Sequence, residues 1–477
     1  MSGRRRIIYK RVISDPPLMS EASEITIPDS DFEGVTFQTP AKERQVDFFD
    51  RLACGATMAV VLVVFHAALV NKLFHPLFFT LLHAGAWRAV VQPGFLWGLT
   101  GTIFLGFRTV LWLCYRPFPS AAHRNAPTLT VIIPAYNEGE MVKKSIYSVL
   151  EADYPQDRLE VFVVDDGSSD DTWQYIFEAA RAYPHLITPI RFAKNRGKRA
   201  GLEEGFRRAR GELVVTLDSD SVVERGSLLA MTGPFANPKV GAVAGKVLVY
   251  NRIQGLIPRM LHVRYVLSFD FLRAVQSTYG TVYCCPGALS AYRTSVVRQV
   301  LPQWINQSFL GRPCTYGEDR AMTNFILSAG YDTVFQRTGR VHTIVPWTYH
   351  KLCKMYLRWD RSYVREVIHF MRIVWKRSPW SMLVSLTDML IANLRFPVGW
   401  ASLVFLAVLS VHHPATLIRF FSAMAIFSTL NMFYYWYTER SWLFPYGIIY
   451  SYFSFLTLLW IFPYALFTLK VRTWGTR

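Results

Sequence analysis

Leu52 to Asn71 is a run of twenty residues without a charged side chain, closed at its ends by Arg51 and Lys72. At about 1.5 Å of helix rise per residue, such a run crosses a hydrocarbon core roughly 30 Å thick. A second charge-free stretch, Ala89 to Phe107, follows Arg88 and continues past Arg108 to Tyr115; Arg108 lies near enough to that end to snorkel to the interface. Ser381 to Leu469 holds only five charges, Asp388, Arg395, Arg419, Glu439 and Arg440. Spans are expected there over Phe396–Val411, His413–Tyr437 and Trp442–Leu469. Trp380–Leu394 reads as an interfacial helix because Asp388 sits in its middle, or else as a fourth C-terminal span. The first apolar run begins after about fifty mostly polar residues, which does not suit a cleaved signal peptide.

Composition agrees. Of 477 residues, 51% are hydrophobic and only 18% charged, below the usual quarter, which excludes a disordered chain and makes a purely soluble protein a poor fit. Six cysteines without a CxxC pair predict neither a zinc site nor a disulfide framework. The net charge of +18 allows nucleic acid, a membrane surface or an anionic substrate as partner, so its location decides. Arg4, Arg5, Arg6, Lys10 and Arg11 lie before the first span, and the stretch after the second is also basic, which places both on the cytosolic side. Residues 1–49 are expected to be a disordered cytosolic tail, and 50–116 two transmembrane helices. The basic end with Lys470, Arg472 and Arg477 favours a cytosolic C-terminus and an even number of crossings, whereas the apolar runs of 395–470 count three; the number stays open between three and four.

Between the apolar ends the pattern changes. Short β-rich runs (Leu129–Ile133, Leu159–Val164, Ile187–Phe192, Leu213–Leu217) alternate with helical stretches over Glu138–Ala152, Asp171–Tyr183 and Lys198–Arg210. This alternation predicts an α/β domain with a doubly wound, mostly parallel sheet, which binds ligands at the carboxyl ends of its strands. The polar motifs fall at those ends. Strand one runs into Ala135-Tyr136-Asn137-Glu138, strand two into Asp165-Asp166-Gly167-Ser168, and strand four into Asp218-Ser219-Asp220. A strand-end carboxylate followed by Gly and Ser suits hydrogen bonding to a base or ribose; it equally suits a helix N-cap. The loop Asn195–Arg199, with Lys198, opens a helix and suits a phosphate. Asp218 and Asp220, one residue apart, suit one hard divalent cation shared with phosphate oxygens. Glu318 and Asp319 precede a helical stretch, where one carboxylate can serve as a general base. Arg358 offers a fork for a diphosphate, and Trp359 a flat face for a sugar or base, or an anchor at the membrane interface. From Arg340 to Arg377 nine Lys/Arg stand against two acids among aromatics, a pattern that predicts amphipathic helices on an anionic leaflet over 341–394.

The motifs VVDDGS, LDSD, CCPGALSAYR, GEDR and RWDRSYVRE, in this order, resemble family 2 glycosyltransferases of the GT-A fold, above all membrane-embedded processive synthases of the hyaluronan, rhizobial chitin-oligosaccharide and cellulose type. The resemblance covers about Thr128–Met371 and places the GT-A domain at 126–340. It implies that Asp166 with Asp165 holds uracil, and that Ala135, Tyr136, Glu138, Lys198 and Asp218 belong to the donor site. It also implies that Asp218 and Asp220 bind Mg²⁺ or Mn²⁺, that Asp319 beside Glu318 is the base, and that Arg358 and Trp359 close over diphosphate and acceptor. Cys284 matches a loop cysteine near the acceptor. One position departs: the Gln of the QxxRW motif is Met355 here.

The implied reaction is an inverting, single-displacement transfer from a UDP-sugar to a growing polysaccharide, which leaves through the spans. The implied partners are the donor, the polymer and membrane lipids, with no nucleic acid. A bacterial inner membrane and a eukaryotic plasma membrane both fit. Two alternatives are a transferase adding one sugar to a lipid carrier, and a transporter with a degenerate domain; the latter should have lost Asp220 or Asp319, and both are present.

Overall fold

The computed structural model describes residues 46–70 and 93–471, with side chains from residue 100 in the second stretch. The expected disordered tail up to residue 45, the residues between the first two spans, Ala89–Val91 of the second run, and Arg472 and Arg477 of the basic end lie outside the described residues. Helix α1 covers Phe48–Val70 and α2 covers Pro93–Cys114.

Strands β1 (Leu129–Ala135), β2 (Leu159–Asp165), β3 (Ile187–Arg191) and β4 (Leu213–Thr216) alternate with α3 (Met141–Leu150), α4 (Thr172–Ala182) and α5 (Lys198–Arg208), each within a few residues of the sequence expectation. β1 is buried along its whole length, as a central parallel strand covered on both faces must be. The chain continues through β5 (Ser221–Val223), α6 (Ser227–Thr232), β6 (Val240–Val249), α7 (Leu256–Val266), α8 (Leu272–Ser277), β7 (Ser290–Arg293) and α9 (Thr294–Ile305). A small hairpin, β8 (Ser308–Phe309) and β9 (Arg312–Pro313), precedes α10 (Glu318–Ser328) and β10 (Asp332–Thr343). The eight-stranded sheet has the order β3-β2-β1-β4-β7-β6-β10-β5. Four pairings are parallel (β2–β3, β1–β2, β1–β4, β6–β10), while β7 runs antiparallel to both neighbours and β5 antiparallel to β10. The sheet is therefore mixed in its second half, where the expected βαβ alternation ends. Trp304, fully buried with Phe206, Tyr292 and Phe335, fills the core on one face.

Helix α11 (Tyr349–Ile373) is a single amphipathic helix of 25 residues, capped by the Thr348 hydroxyl, which accepts the Lys351 N–H. Then comes α12 (Pro379–His412), which unites in one 34-residue helix the segments Trp380–Leu394 and Phe396–Val411 that the sequence reading kept apart. The reason is electrostatic. Asp388, which suggested an interfacial helix, faces the Arg108 guanidinium, whose Nε lies 3.0 Å from its carboxylate. Each neutralises the other inside the apolar layer, so neither has to reach water. Helix α13 (Ala415–Glu439) follows, then α14 (Pro445–Thr457) and α15 (Ile461–Phe467), which are bent by 47° at the break between them. Among the described residues α1, α12 and α13 are long and apolar enough to cross a membrane, and α14 with α15 makes a fourth candidate if the bent pair is one span. Val404, Phe405, Val408 and Val411 stay more than half exposed, as lipid-facing side chains do. The chain is a membrane protein on this evidence.

Two buried ionic clusters tie the apolar helices to the sheet domain. Asp50, fully buried at the start of α1, accepts from Arg252 at 2.7 Å, Arg259 at 2.8 Å and the Tyr446 hydroxyl of α14 at 2.9 Å. Asp270, fully buried in the π-helical turn Leu267–Phe271 between α7 and α8, lies 2.8 Å from both Lys246 of β6 and Arg337 of β10. Lys246 also meets Glu439 of α13 at 2.6 Å.

Candidate active site

A cavity of about 1490 Å³ opens at the carboxyl ends of β1, β2 and β4. Ala135, Tyr136 and Glu138, which follow from β1, line it, as does Asp166 after β2. The Asp166 carboxylate accepts the backbone N–H groups of Arg196 at 2.7 Å and Gly197 at 2.8 Å, which pins the basic loop to the strand end. Burial pushes its carboxyl up, and the Asp165 charge beside it acts the same way, against those two donors. Asp165 is not part of the cavity lining. It is fully buried, accepts the Ser168 N–H at 3.0 Å and lies 3.1 Å from Arg191. It shapes the turn in which Gly167 has φ +73°; a Cβ there would come within 2.7 Å of the Lys194 backbone.

Lys198 is the first residue of α5, and its ammonium bridges Asp218, which follows β4, and Glu318, at 3.1 Å, at the start of α10. Burial alone would depress the Lys198 pKa; the two carboxylates outweigh it and hold the lysine charged. Asp220 lies one residue beyond β4's loop serine, with its carboxylate 3.2 Å from the hydroxyls of Ser221 and Thr343. Asp218 and Asp220 both line the cavity. Among the described residues no group of three or more His, Cys, Asp or Glu is placed to hold a metal by itself. Asp218 and Asp220 offer carboxylate oxygens of the kind a hard divalent cation takes.

Asp319 sits on the far side of Glu318. Gly317, in the left-handed region at φ +73°, is the N-cap of α10, and a Cβ there would lie 2.0 Å from the Ser362 hydroxyl of α11. This close approach of α10 to α11 turns both acids into the cavity. Asp319 accepts the Arg320 N–H at 2.7 Å and lies 3.4 Å from the Cys284 thiol. Burial pushes up the Cys284 thiol, which stays protonated and donates to Asp319. Burial, and then the Glu318 charge, raise the Asp319 carboxyl above the ordinary range, while Lys198 holds Glu318 below it despite burial. A raised carboxyl is what a general base near neutral pH requires.

Arg358 and Trp359 of α11 complete the wall. The Trp359 ring lies 6.3 Å from Tyr265 and 5.6 Å from Tyr356. Met355 is 6% exposed, and the Tyr265 hydroxyl points at its sulfur from 3.9 Å. The structure thus brings every sequence-expected site residue to one cavity except Asp165. It adds Arg273, Arg320 and Arg395, which the sequence reading passed over. For Arg395 a signal existed: a lone cation in an otherwise apolar run.

A test of the carboxylate pair follows. Replacing Glu318 with Gln removes the charge that raises Asp319. With Asp319 as the expected base, the acidic limb of the kcat/KM profile should then move to lower pH. A limb that stays in place or moves up would refute the coupling.

The glycosyl transferase family 2 model matches residues 130–301. The chain is 32% identical over 248 residues to an N-acetylglucosaminyltransferase of Azorhizobium caulinodans, covering 52% of this chain and 62% of the relative. It is 33% identical over 279 residues to a hyaluronan synthase of Streptococcus pyogenes, covering 57% and 65%. With an N-acetylglucosaminyltransferase of Rhizobium meliloti it shares 30% identity over 286 residues, covering 58% of this chain and 67% of the relative. The chain thus spans a little under two thirds of the first two relatives. A mannosyltransferase from Pyrobaculum calidifontis, solved with GDP-Man and Mn²⁺, superposes with a TM-score of 0.52 at 23% identity, covering 76% of this chain and 96% of that one. That likeness concerns the fold, and the fold is GT-A. With its strand-end acids, its α10 carboxylates and its RW helix gathered on one GT-A sheet, the chain belongs to glycosyltransferase family 2.

Proposed function

We propose that the protein is a processive, inverting glycosyltransferase that builds a β-linked polysaccharide from a UDP-sugar on the cytosolic face and passes it out through its own helices. The observation that carries this reading is the extent of the cavity. Its lining includes Asp166, Lys198 and Asp218 at the strand ends, Asp319 in the middle, and Arg108, Asp388 and Asn431 of α2, α12 and α13. One volume therefore joins the nucleotide end to the membrane helices, as a polymer that grows and leaves in the same motion requires. The multi-pass arrangement with a cytosolic site is part of the proposal.

In this reading Asp166 and the loop it pins receive the uridine, and Lys198 and Arg358 face the diphosphate. Asp218 and Asp220 would hold a divalent cation, and the chemistry it would supply there is Lewis-acid stabilisation of the leaving diphosphate. Asp319 takes the proton of the acceptor hydroxyl, whose oxygen attacks the anomeric carbon from the face opposite the diphosphate; the C–O bond to UDP breaks and the configuration inverts. Trp359 and Tyr265 provide flat faces for the acceptor sugar. The rim of α11 seats the domain on the anionic leaflet.

The test is donor turnover by the full chain in detergent with UDP-sugars offered singly and in pairs, reading UDP release together with product length. Long product supports the reading; single-sugar adducts support the lipid-carrier alternative and end processivity. Asp220→Ala should remove activity together with its dependence on Mg²⁺ or Mn²⁺. Several kcal/mol of lost charge stabilisation corresponds to at least ~10²-fold in rate. A variant that keeps its rate and its metal titration would overturn the assignment.

A further inference from the structure

We infer that Glu366, a buried acid of α11 outside the cavity lining, is a positioning residue that ties the helix of Arg358 and Trp359 to the start of α10 and so holds Glu318 and Asp319 in place. The inference rests on the reading above in which Asp319 is the base. It gives a role to the end of the RWDRSYVRE motif.

The spacing puts the motif on one face. Arg358, Ser362 and Glu366 follow at intervals of four, so they stack along one side of the helix. Arg358 and Ser362 line the cavity, and Glu366 lies one turn further on, away from it. Glu366 is only 3% exposed, and both of its carboxylate oxygens are used. One accepts Gln307 Nε2, just past α9, at 2.8 Å, and Arg365 Nε at 2.8 Å. The other accepts Asn324 Nδ2 of α10 at 3.0 Å. The same amide donates to the Glu366 carbonyl at 2.9 Å. His369 lies 3.5 Å from the carboxylate. Burial opposes the Glu366 charge, but the His369 hydrogen bond and the Arg365 charge outweigh it and hold the carboxyl down at about 2. The anchor thus stays ionised near neutral pH, and its hydrogen bonds are of the strong, charge-assisted kind.

The partners lead to the acid pair by two routes. Arg365 donates at 2.5 Å to the carbonyl of Tyr316, the residue before Gly317. Gln307 accepts from Arg199 of α5 at 3.0 Å, Arg199 donates to the Trp304 carbonyl at 2.7 Å, and Trp304 Nε1 donates to the Glu318 carbonyl at 2.9 Å. Two chains of hydrogen bonds that start at Glu366 therefore close on Gly317 from both sides. Gly317 is the left-handed N-cap from which both acids are presented. A glycine has conformational freedom that other residues lack, so the direction of α10 has to be fixed by what holds its neighbours. A general base works only within hydrogen-bond reach of the proton it takes. Loss of the anchor is felt at Asp319 although Glu366 touches no reacting atom.

The experiment compares the full chain in detergent with Glu366→Gln, Asp319→Asn and the double variant. Rates are expressed per site that binds UDP with Mg²⁺ in calorimetric titration, which removes any loss of folded protein from the comparison. Glu366→Gln keeps the size of the side chain but turns one acceptor into a donor that faces Gln307 or Asn324. It is expected to lower kcat by about 10²-fold, the cost of misplacing a reacting group by roughly 1 Å, with little change in KM for the donor. In the Asp319→Asn background the same substitution is expected to cost less than about threefold, because a base that is absent cannot be misplaced. Exchanging the two groups, Glu366→Gln with Gln307→Glu, returns a carboxylate to the junction and should recover at least about tenfold of the lost kcat. Should Glu366→Gln yield no UDP-binding protein, Gln307→Leu takes its place in the same cycle. It cuts the route to Arg199 but leaves Glu366 with Arg365 and Asn324, and a loss of roughly tenfold that vanishes in the Asp319→Asn background is expected. An unchanged kcat, a loss that appears in KM, or equal losses in both backgrounds overturns the inference while Asp319 remains the base. An Asp319→Asn variant that keeps its rate overturns the underlying reading, and the inference falls with it.

Discussion

Asp319→Asn is expected to lower sugar transfer by about 10²–10⁴-fold and to leave UDP-sugar affinity nearly unchanged. The amide keeps the size of the side chain and can still accept the Arg320 N–H, so α10 holds its place. What it cannot do is take the acceptor proton. In the proposed reading donor binding draws on other groups, Asp166, Lys198 and Arg358, which keep their own partners in the variant. Calorimetric titration with UDP-sugar separates the two effects, because loss of the base appears in the rate alone. An equal loss of affinity and rate would mean that Asp319 holds the donor, and the base would have to be sought elsewhere. Cys284 sharpens the comparison. Its thiol, 3.4 Å from the carboxylate, supports Asp319 but carries no charge, so Cys284→Ala should change the rate far less than Asp319→Asn.

What the sequence made legible was local. Of the four β-rich runs three end in an acid motif and one in a basic loop, and since a parallel strand must be buried on both faces, hydrophobic runs and punctuation sufficed to place them. The donor side of the site came with them, because each motif sits directly on a strand end. Long-range pairing was hidden. Nothing around Asp388 announces Arg108, 280 positions away, so the charge read as a reason to leave the membrane when it was half of a neutral pair. The bond of Lys198 to Glu318 was hidden for the same reason. Asp165 shows the opposite limit: two adjacent acids look equivalent in sequence, but Asp165 closes β2 and is held by Ser168 and Arg191, and only Asp166 reaches the cavity. The antiparallel β7 was not read because it lies outside the βαβ alternation that located the four parallel strands and pairs antiparallel with β4 and β6, far from it in sequence.

The second large effect is expected at Asp270, far from any reacting atom. Asp270→Ala should lower stability by about 3–5 kcal/mol, the usual cost of removing one partner from a buried ion pair. Lys246 is 3% exposed and would lose one of its two carboxylates, and Arg337 would lose its own. Burial opposes the charge of Asp270, but the two cations outweigh it and keep its carboxyl below the ordinary range. The stabilisation is therefore complete above the unfolded carboxylate pKa and disappears only as pH falls through the depressed value. Because a membrane protein in detergent unfolds irreversibly, the readable quantity is the half-life of activity at fixed temperature. It should shorten sharply, and a half-life like that of the unaltered protein would refute the ledger for this cluster. The position matters beyond stability. Ser268 and Phe269 within the π-helical turn that Asp270 anchors, and Leu272 and Arg273 just after it, line the cavity, and Glu439 brings the end of α13 to the same lysine. The cluster thus joins the acceptor wall to a membrane helix. Replacing Lys246 and Asp270 by apolar residues of similar volume, Lys246→Met with Asp270→Leu, removes the unpaired buried lysine and should recover part of the half-life; Arg337 and Glu439 lose their partners, so the recovery stays incomplete. Product length should not recover with it, because the turn would no longer be tied to α13. If length returns together with stability, the cluster serves folding alone.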